Sequence, residues 1–167
     1  MNFQAVSIAA ELDLDIEPWR AINDGVMGGI SQGEMIAVDD GLRFRGLLSL
    51  ENNGGFASVR RLYDGDLAEA VGVRLRIKGD GRRYQFRLRL SDRYDGVSWS
   101  ATFDTDKTWQ TVFLVFEEFQ PVFRGRPVAD AEPFVAAKIR QLGFMLADGK
   151  QGEFQLDIAS IDFPSNQ

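Results

Sequence analysis

The chain has 167 residues, 44% of them hydrophobic, enough for one domain spanning 1–167 around one sizeable core. It contains no His and no Cys, which removes the commonest general base, the commonest metal ligand, disulfides and thiol chemistry. The net charge of -6 argues against a general nucleic-acid binder, whose affinity rests on Lys and Arg.

No run approaches the roughly 20 apolar residues of a membrane span. Residues 1–17 carry no early positive charge and soon turn acidic, unlike a secretory signal or an Arg-rich transit peptide. A cytoplasmic, bacterial protein is the expectation. Leu12, Leu14 and Ile16 alternate with Asp13, Asp15 and Glu17, the pattern of an edge strand with one acidic face or of an extended arm. Those carboxylates lack the Gly turn and later Glu of a calcium loop, so a solvated face is favoured over a metal site.

Residues 19–31, W-R-A-I-N-D-G-V-M-G-G-I-S, form a shaped loop. Gly25, Gly28 and Gly29 permit positive φ or close backbone approach, and Asn23 and Asp24 set turns through their side chains. Val26, Met27 and Ile30 are expected to anchor this loop on the core. Six Asp-Gly dipeptides, beginning at Asp24, Asp40, Asp64, Asp80, Asp95 and Asp148, are hairpin signals where their flanks are strand-like.

Residues 34–38 and 42–50 read as strands joined at Asp39-Asp40-Gly41, with Gly46 marking a bulge or close backbone approach. Asn53, Gly54 and Gly55 then shape a turn before a strand at 56–62. Arg60 in that strand is either a binding or loop-bracing residue or one half of a structural salt bridge. Val71, Val73, Leu75 and Ile77 alternate with Gly72, Arg74, Arg76 and Lys78. After a turn at Asp80, Tyr84, Phe86, Leu88 and Leu90 alternate with Gln85, Arg87, Arg89 and Ser91. This pattern predicts a hairpin with one apolar and one cationic face, in which Arg74 and Arg76 lie beside Gln85 and Arg87. Residues 74–93 hold eight Arg or Lys against two Asp, leaving about -12 on the rest. Like charges opposite one another are destabilising. The cationic face should therefore meet the chain's own acidic segments, meet an acidic partner, or stay solvated.

Residues 97–103 form a further strand in which Trp99 is either a cleft aromatic or a core residue. Residues 109–116, apolar on both parities, predict a central covered strand, and 130–141 the one short helix. Leu142, Phe144 and Leu146 begin another strand. The parity of Phe154, Leu156 and Ile158 differs from that of Ile161 and Phe163, which predicts a bulge near Ala159 and Ser160. About ten strands and little helix indicate an all-β, antiparallel β-sandwich of jelly-roll type.

Four blocks in order, residues 19–31, N-N-G-G-F-A-S-V-R at 52–60, G-D-G-R-R-Y at 79–84 and P-V-F-R-G-R at 121–126, resemble the complex I intermediate-associated protein family. The resemblance runs from about 19 to 163. It implies a galactose-binding-like β-sandwich, shared with carbohydrate-binding modules, and for mitochondrial members a role in assembling respiratory complex I. The first expectation is thus a non-catalytic, chaperone-like assembly factor that binds a protein client, such as respiratory complex subunits. The alternative is a carbohydrate or small-anion binding module using Trp99 and Tyr84 as stacking platforms. Arg60, Arg74, Arg76, Tyr84, Arg87, Trp99 and Arg124 are the candidate partner contacts, and Asn23, Asp24, Gly28, Gly29, Asn53, Gly54, Gly55 and Asp80 shape the loop end. No enzyme activity, cofactor or metal is expected: the candidate Asp residues sit in turns, and no strand leads into G-x-G-x-x-G.

Overall fold

Alternating apolar residues produce two antiparallel sheets in the computed structural model, which describes residues 7–166; the side chains of Val26, Met27 and Asn53 lie outside that description. The strands are β1 (Ile8–Glu11), β2 (Arg20–Ala21), β3 (Gln32–Val38), β4 (Gly41–Leu48), β5 (Ala57–Leu62), β6 (Gly72–Lys78) and β7 (Arg83–Arg89). They continue as β8 (Ser98–Asp104), β9 (Gln110–Val115), β10 (Gln120–Phe123), β11 (Arg126–Pro127), β12 (Gln141–Leu146) and β13 (Gly152–Pro164). Sheet I runs β3-β4-β13-β6-β9, with β1 also paired to β13; sheet II runs β11-β10-β8-β7-β12-β5-β2.

One core lies between them. Leu42, Phe44, Leu75, Ile77, Leu156 and Ile161 of sheet I meet Tyr84, Phe86, Leu88, Leu142, Phe144 and Leu146 of sheet II, all fully buried or nearly so. Burying each large apolar side chain stabilises by about 1.5–3 kcal/mol, and a one-residue slip would turn a whole strand outward. The phase change in β13 is absorbed by a register shift against β6 between Ile158 and Ser160, as its parity predicts. Gly46 faces Gly33 across the β3–β4 pair, and a Cβ there would overlap the Gln32 carbonyl, the close approach expected of it.

Three expectations are corrected. The first is the hairpin of 71–78 with 84–91: β6 pairs with β13 and β9 in sheet I, whereas β7 sits between β8 and β12 in sheet II. Their apolar faces meet across the core, so Arg74 and Arg76 do not adjoin Arg87. Asp80 makes the corner by accepting hydrogen bonds from Arg82 N (3.1 Å), Gln155 N (2.8 Å) and the Tyr84 hydroxyl (3.0 Å). Arg82 then binds Asp148 through Nη2 (2.7 Å) and Nε (2.8 Å), with both side chains largely buried. Asp80-Gly81 and Asp148-Gly149 therefore link sheets, whereas Asp40-Gly41 closes a tight hairpin, with Gly41 paired to Val38.

Second, β9 is the edge of sheet I rather than a covered strand: Leu114 faces the core while Phe113 is 47% exposed. Third, residues 130–141 contain only a 3-10 turn, Ala136–Lys138. Phe134 packs on Phe116 (4.9 Å between centroids) and Trp99 (5.3 Å), and Ile139 is buried, a five-residue spacing that no single helical face serves. β1 ends at Glu11, and residues 12–16 form an extended arm, one of the two alternatives that their alternation offered. Leu12 is buried and its amide donates to Ile161 O at 2.9 Å, while Asp13, Asp15 and Glu17 are exposed. Among the described residues no helix is long and apolar enough to cross a membrane.

Candidate functional site

The glycine-rich loops converge on Asp24, which is completely buried. Its Oδ1 accepts from Ser31 N (2.8 Å), and its Oδ2 accepts from Ser31 Oγ (2.6 Å), Gly55 N (2.7 Å) and Phe56 N (3.3 Å). Burial alone would raise the carboxyl pKa, but the Ser31 hydroxyl and the Gly55, Ser31 and Phe56 amides together hold it below the usual value. Gly29 and Gly54 are required because a Cβ on either would overlap this carboxylate. Gly28 adopts φ +90 and Gly55 φ +136, where side chains are strained. Asn23 links the same region, donating to Gly33 O and accepting from Ser58 N, both at 3.2 Å. Ile30 is 50% exposed and does not anchor the loop. The expected anchoring by Val26 and Met27, and a side-chain role for Asn53, fall outside the described side chains. The loop is drawn inward by a hydrogen-bonded carboxylate, an arrangement that builds structure and presents no free base.

The outer-face arginines differ in whether a carboxylate pairs with them. On the outer face of sheet I, Arg43 binds Asp157 (2.6 Å), Arg45 binds Glu34 (3.1 Å) and Arg74 binds Asp162 (3.3 Å). The Asp157 and Asp162 partners lie directly across the strand pairs from their arginines. Arg76 is exposed and donates to Thr111 Oγ1 at 3.2 Å. An open depression of about 640 Å³ on this side is lined by residues including Glu34, Arg45, Glu153 and Gln155, and its Arg45 is already paired.

Sheet II differs. Ser100, Arg87, Gly143, Arg60 and Arg20 form a cross-strand row in register on β8, β7, β12, β5 and β2, with Arg89 two residues beyond Arg87 on the same face. Arg60, Arg87 and Arg89 are half-buried, and among the described residues none has a carboxylate at ion-pair distance. Their acceptors are neutral. Arg87 Nε donates to Gln85 Oε1 (3.0 Å) and Nη1 to Ser98 Oγ (3.4 Å); Arg89 Nη1 donates to Gly96 O (3.1 Å). Arg60 Nη2 donates to Tyr94 O (2.8 Å), with its guanidinium 4.7 Å from the centroid of the Tyr94 ring. Asp95, which acts on Arg60 and Arg89 at longer range, is bonded to Arg124 at 3.0 Å.

Burial lowers the Arg87 pKa to about 10; burial, with the charges of Arg60 and Arg87, lowers that of Arg89 to about 10. Arg60 is likewise lowered by burial. All three remain charged at neutral pH. Arg60 and Arg87 flank Gly143, so their Cα atoms lie two strand spacings apart, about 10 Å. Two charges at that separation repel by about 0.4 kcal/mol in water and about 1.7 kcal/mol at an effective dielectric of 20. A Cβ on Gly143 would overlap the Val59 carbonyl and crowd the Arg60 Cβ, so the position requires glycine and adds no side chain between the two arginines. The loop at 91–96 borders this face, with the carbonyls of Ser91 and Arg93 held by Nε2 of the buried Gln141 at 2.8 Å each.

Of the candidate contacts, the structure brings Arg60 and Arg87 together, with Arg124 reaching the bordering loop through Asp95. Arg74 and Arg76 belong to the other sheet. Tyr84 is fully buried, on the inward parity of β7, and Trp99 is a half-buried residue packed against the core beside Phe134. Neither is a surface stacking platform. Arg89 was legible in the same alternation as Arg87 but was not among the candidates. Tyr94 and Gln141 carried no sequence signal, since their roles arise from the loop meeting β5 and β12.

The two-sheet antiparallel sandwich is a fold that carbohydrate-binding modules share. The fold is similar to that of the family 11 module of Clostridium thermocellum, solved with a β-1,3-1,4-mixed-linked tetrasaccharide: TM-score 0.66, 17% identity, covering 98% of this chain and 99% of that one. It is also similar to the xylan-binding module CBM15, with TM-score 0.58 and 13% identity over 98% and 99% of the two chains. These likenesses are of fold.

The sequence profile of Complex I intermediate-associated protein 30 (CIA30) matches residues 2–158, and the chain belongs to that family. A Schizosaccharomyces pombe protein described as uncharacterized is 30% identical over 168 residues, covering 87% of this chain and 77% of that protein.

Proposed function

We propose that this protein is a non-catalytic binding domain that holds a protein client during respiratory complex I assembly, using the outer face of sheet II. Membership in a family associated with complex I assembly supports the context. The observation that carries the reading is a set of three half-buried arginines on sheet II, Arg60, Arg87 and Arg89, with no carboxylate partner among the described residues, whereas Arg43, Arg45 and Arg74 of sheet I and the exposed Arg83 of sheet II each have one. Half-burying a guanidinium without a counter-ion costs stability, and such costs are retained where binding uses them. A carbohydrate ligand is disfavoured because Tyr84 and Trp99 are turned into the core.

The test is affinity capture from the native host with wild type and an Arg87→Gln/Arg89→Gln variant. Complex I subunits or assembly intermediates should be enriched by wild type and lost in the variant. Equal enrichment by both proteins would remove the face from the reading, and enrichment of no protein would remove the assembly role.

A further inference from the structure

We infer that the arginine row of sheet II receives the carboxylate side chains of an acidic protein segment, which lies over the bare backbone of Gly143 between Arg60 and Arg87. This rests on the proposed reading that the face holds a client, and it specifies that client's chemistry. Three features point to carboxylates. The guanidiniums are bonded to neutral acceptors, Gln85, Ser98 and the Tyr94 and Gly96 carbonyls, with no carboxylate at ion-pair distance among the described residues. Arginine's planar fork matches a carboxylate bidentately, and such charge-assisted bonds are roughly twice as strong as neutral ones. Gly143 sits in register between Arg60 and Arg87 and contributes no side chain of its own, so none has to be displaced for a carboxylate to bridge the two guanidiniums from above.

The surroundings favour an acidic protein segment over other anions. An extended polyanion such as a nucleic acid would meet a molecule of net charge -6, whereas a short segment meets only the local cationic row. A glycan would look for an open aromatic face, but the ring of the exposed Tyr94 at the border already lies against the Arg60 guanidinium. Arg87 and Arg89, two residues apart on one strand, are separated by about 6.7 Å, the spacing of alternate side chains in an extended peptide. Acidic residues at alternate positions therefore fit the pair in register.

The experiment titrates the full chain into fluorescently labelled hexaglutamate, hexaglutamine and trigalacturonate, followed by anisotropy at low and moderate salt. Wild type should bind hexaglutamate, and Arg60→Gln/Arg87→Gln should weaken it at least about tenfold. Arg45→Gln/Arg76→Gln, the same charge change on sheet I, should bind like wild type. If the Arg60/Arg87 variant does not fold, as judged by circular dichroism, Arg89→Gln takes its place. The inference is overturned if hexaglutamate is not bound, if all variants bind it equally, if hexaglutamine binds as well, or if trigalacturonate binds in preference. Client capture that depends on Arg87 and Arg89 without hexaglutamate binding would leave the proposed function standing and remove the acidic segment. Hexaglutamate binding without any captured client would do the reverse.

Discussion

The Asp24 carboxylate accepts the Gly55 amide at 2.7 Å across 31 positions of sequence, and this bond joins the two glycine-rich loops. The same carboxylate holds the Ser31 amide and hydroxyl, while Ser31 Oγ accepts from Ser49 N at 2.9 Å. One charge thus organises the loop end. Asp24→Asn replaces an acceptor with a donor facing amide and hydroxyl donors, and should cost about 2–4 kcal/mol in urea unfolding.

The acid dependence should follow. The folded Asp24 pKa is below its ordinary value, so its contribution is present above the unfolded pKa of about 3.9 and is lost as pH falls through the lower folded value. Between wild type and Asp24→Asn, the stability difference should be constant above about pH 5 and shrink below about pH 4. A difference that does not vary with pH would show that the charge is not what matters.

Alanine at neighbouring glycines should separate steric need from flexibility. Gly29→Ala and Gly54→Ala place a Cβ on the Asp24 carboxylate and should each cost at least about 2 kcal/mol by thermal or urea melts. Gly25, which has open space at its Cβ position and no positive φ, should tolerate alanine within about 0.5 kcal/mol. Equal effects at all three would refute the steric account.

Arg82 and Asp148 pin the corner between sheets with side chains only 12% and 7% exposed. Arg82→Met leaves a buried carboxylate unpaired and should cost about 3–5 kcal/mol, while Arg82→Met/Asp148→Leu should recover part of that loss. A double-mutant cycle measures it; additive losses would show that the pair is not coupled.

The two arginine sets should respond oppositely. Arg74→Gln leaves Asp162, one of whose oxygens already lacks a partner, without its cation, and should cost about 1–2 kcal/mol. Arg87→Gln removes a desolvated charge with no counter-ion among the described residues and should leave stability within about 0.5 kcal/mol or raise it. A large loss at Arg87 in a melting experiment would reassign that residue to structure.

The period of two made the strands, the sandwich and the β13 bulge readable, because burying one face requires alternation regardless of the partner strand. The family blocks likewise marked the loop that Asp24 organises. Pairing was less legible: a strand with one apolar face carries the same pattern in either sheet, so β6 and β7 read as a hairpin although the Asp80 and Arg82 corner sends them apart. The parity of Tyr84 pointed inward, and its hydroxyl found Asp80 rather than a ligand. Compensation of each arginine was hidden most deeply. Asp162 lies 88 residues from Arg74, and Gly143 lies between Arg60 and Arg87 only when β5, β12 and β7 stand side by side. Local alternation is a property of consecutive residues, whereas charge balance on a sheet belongs to cross-strand neighbours, and these exist only once the chain has folded.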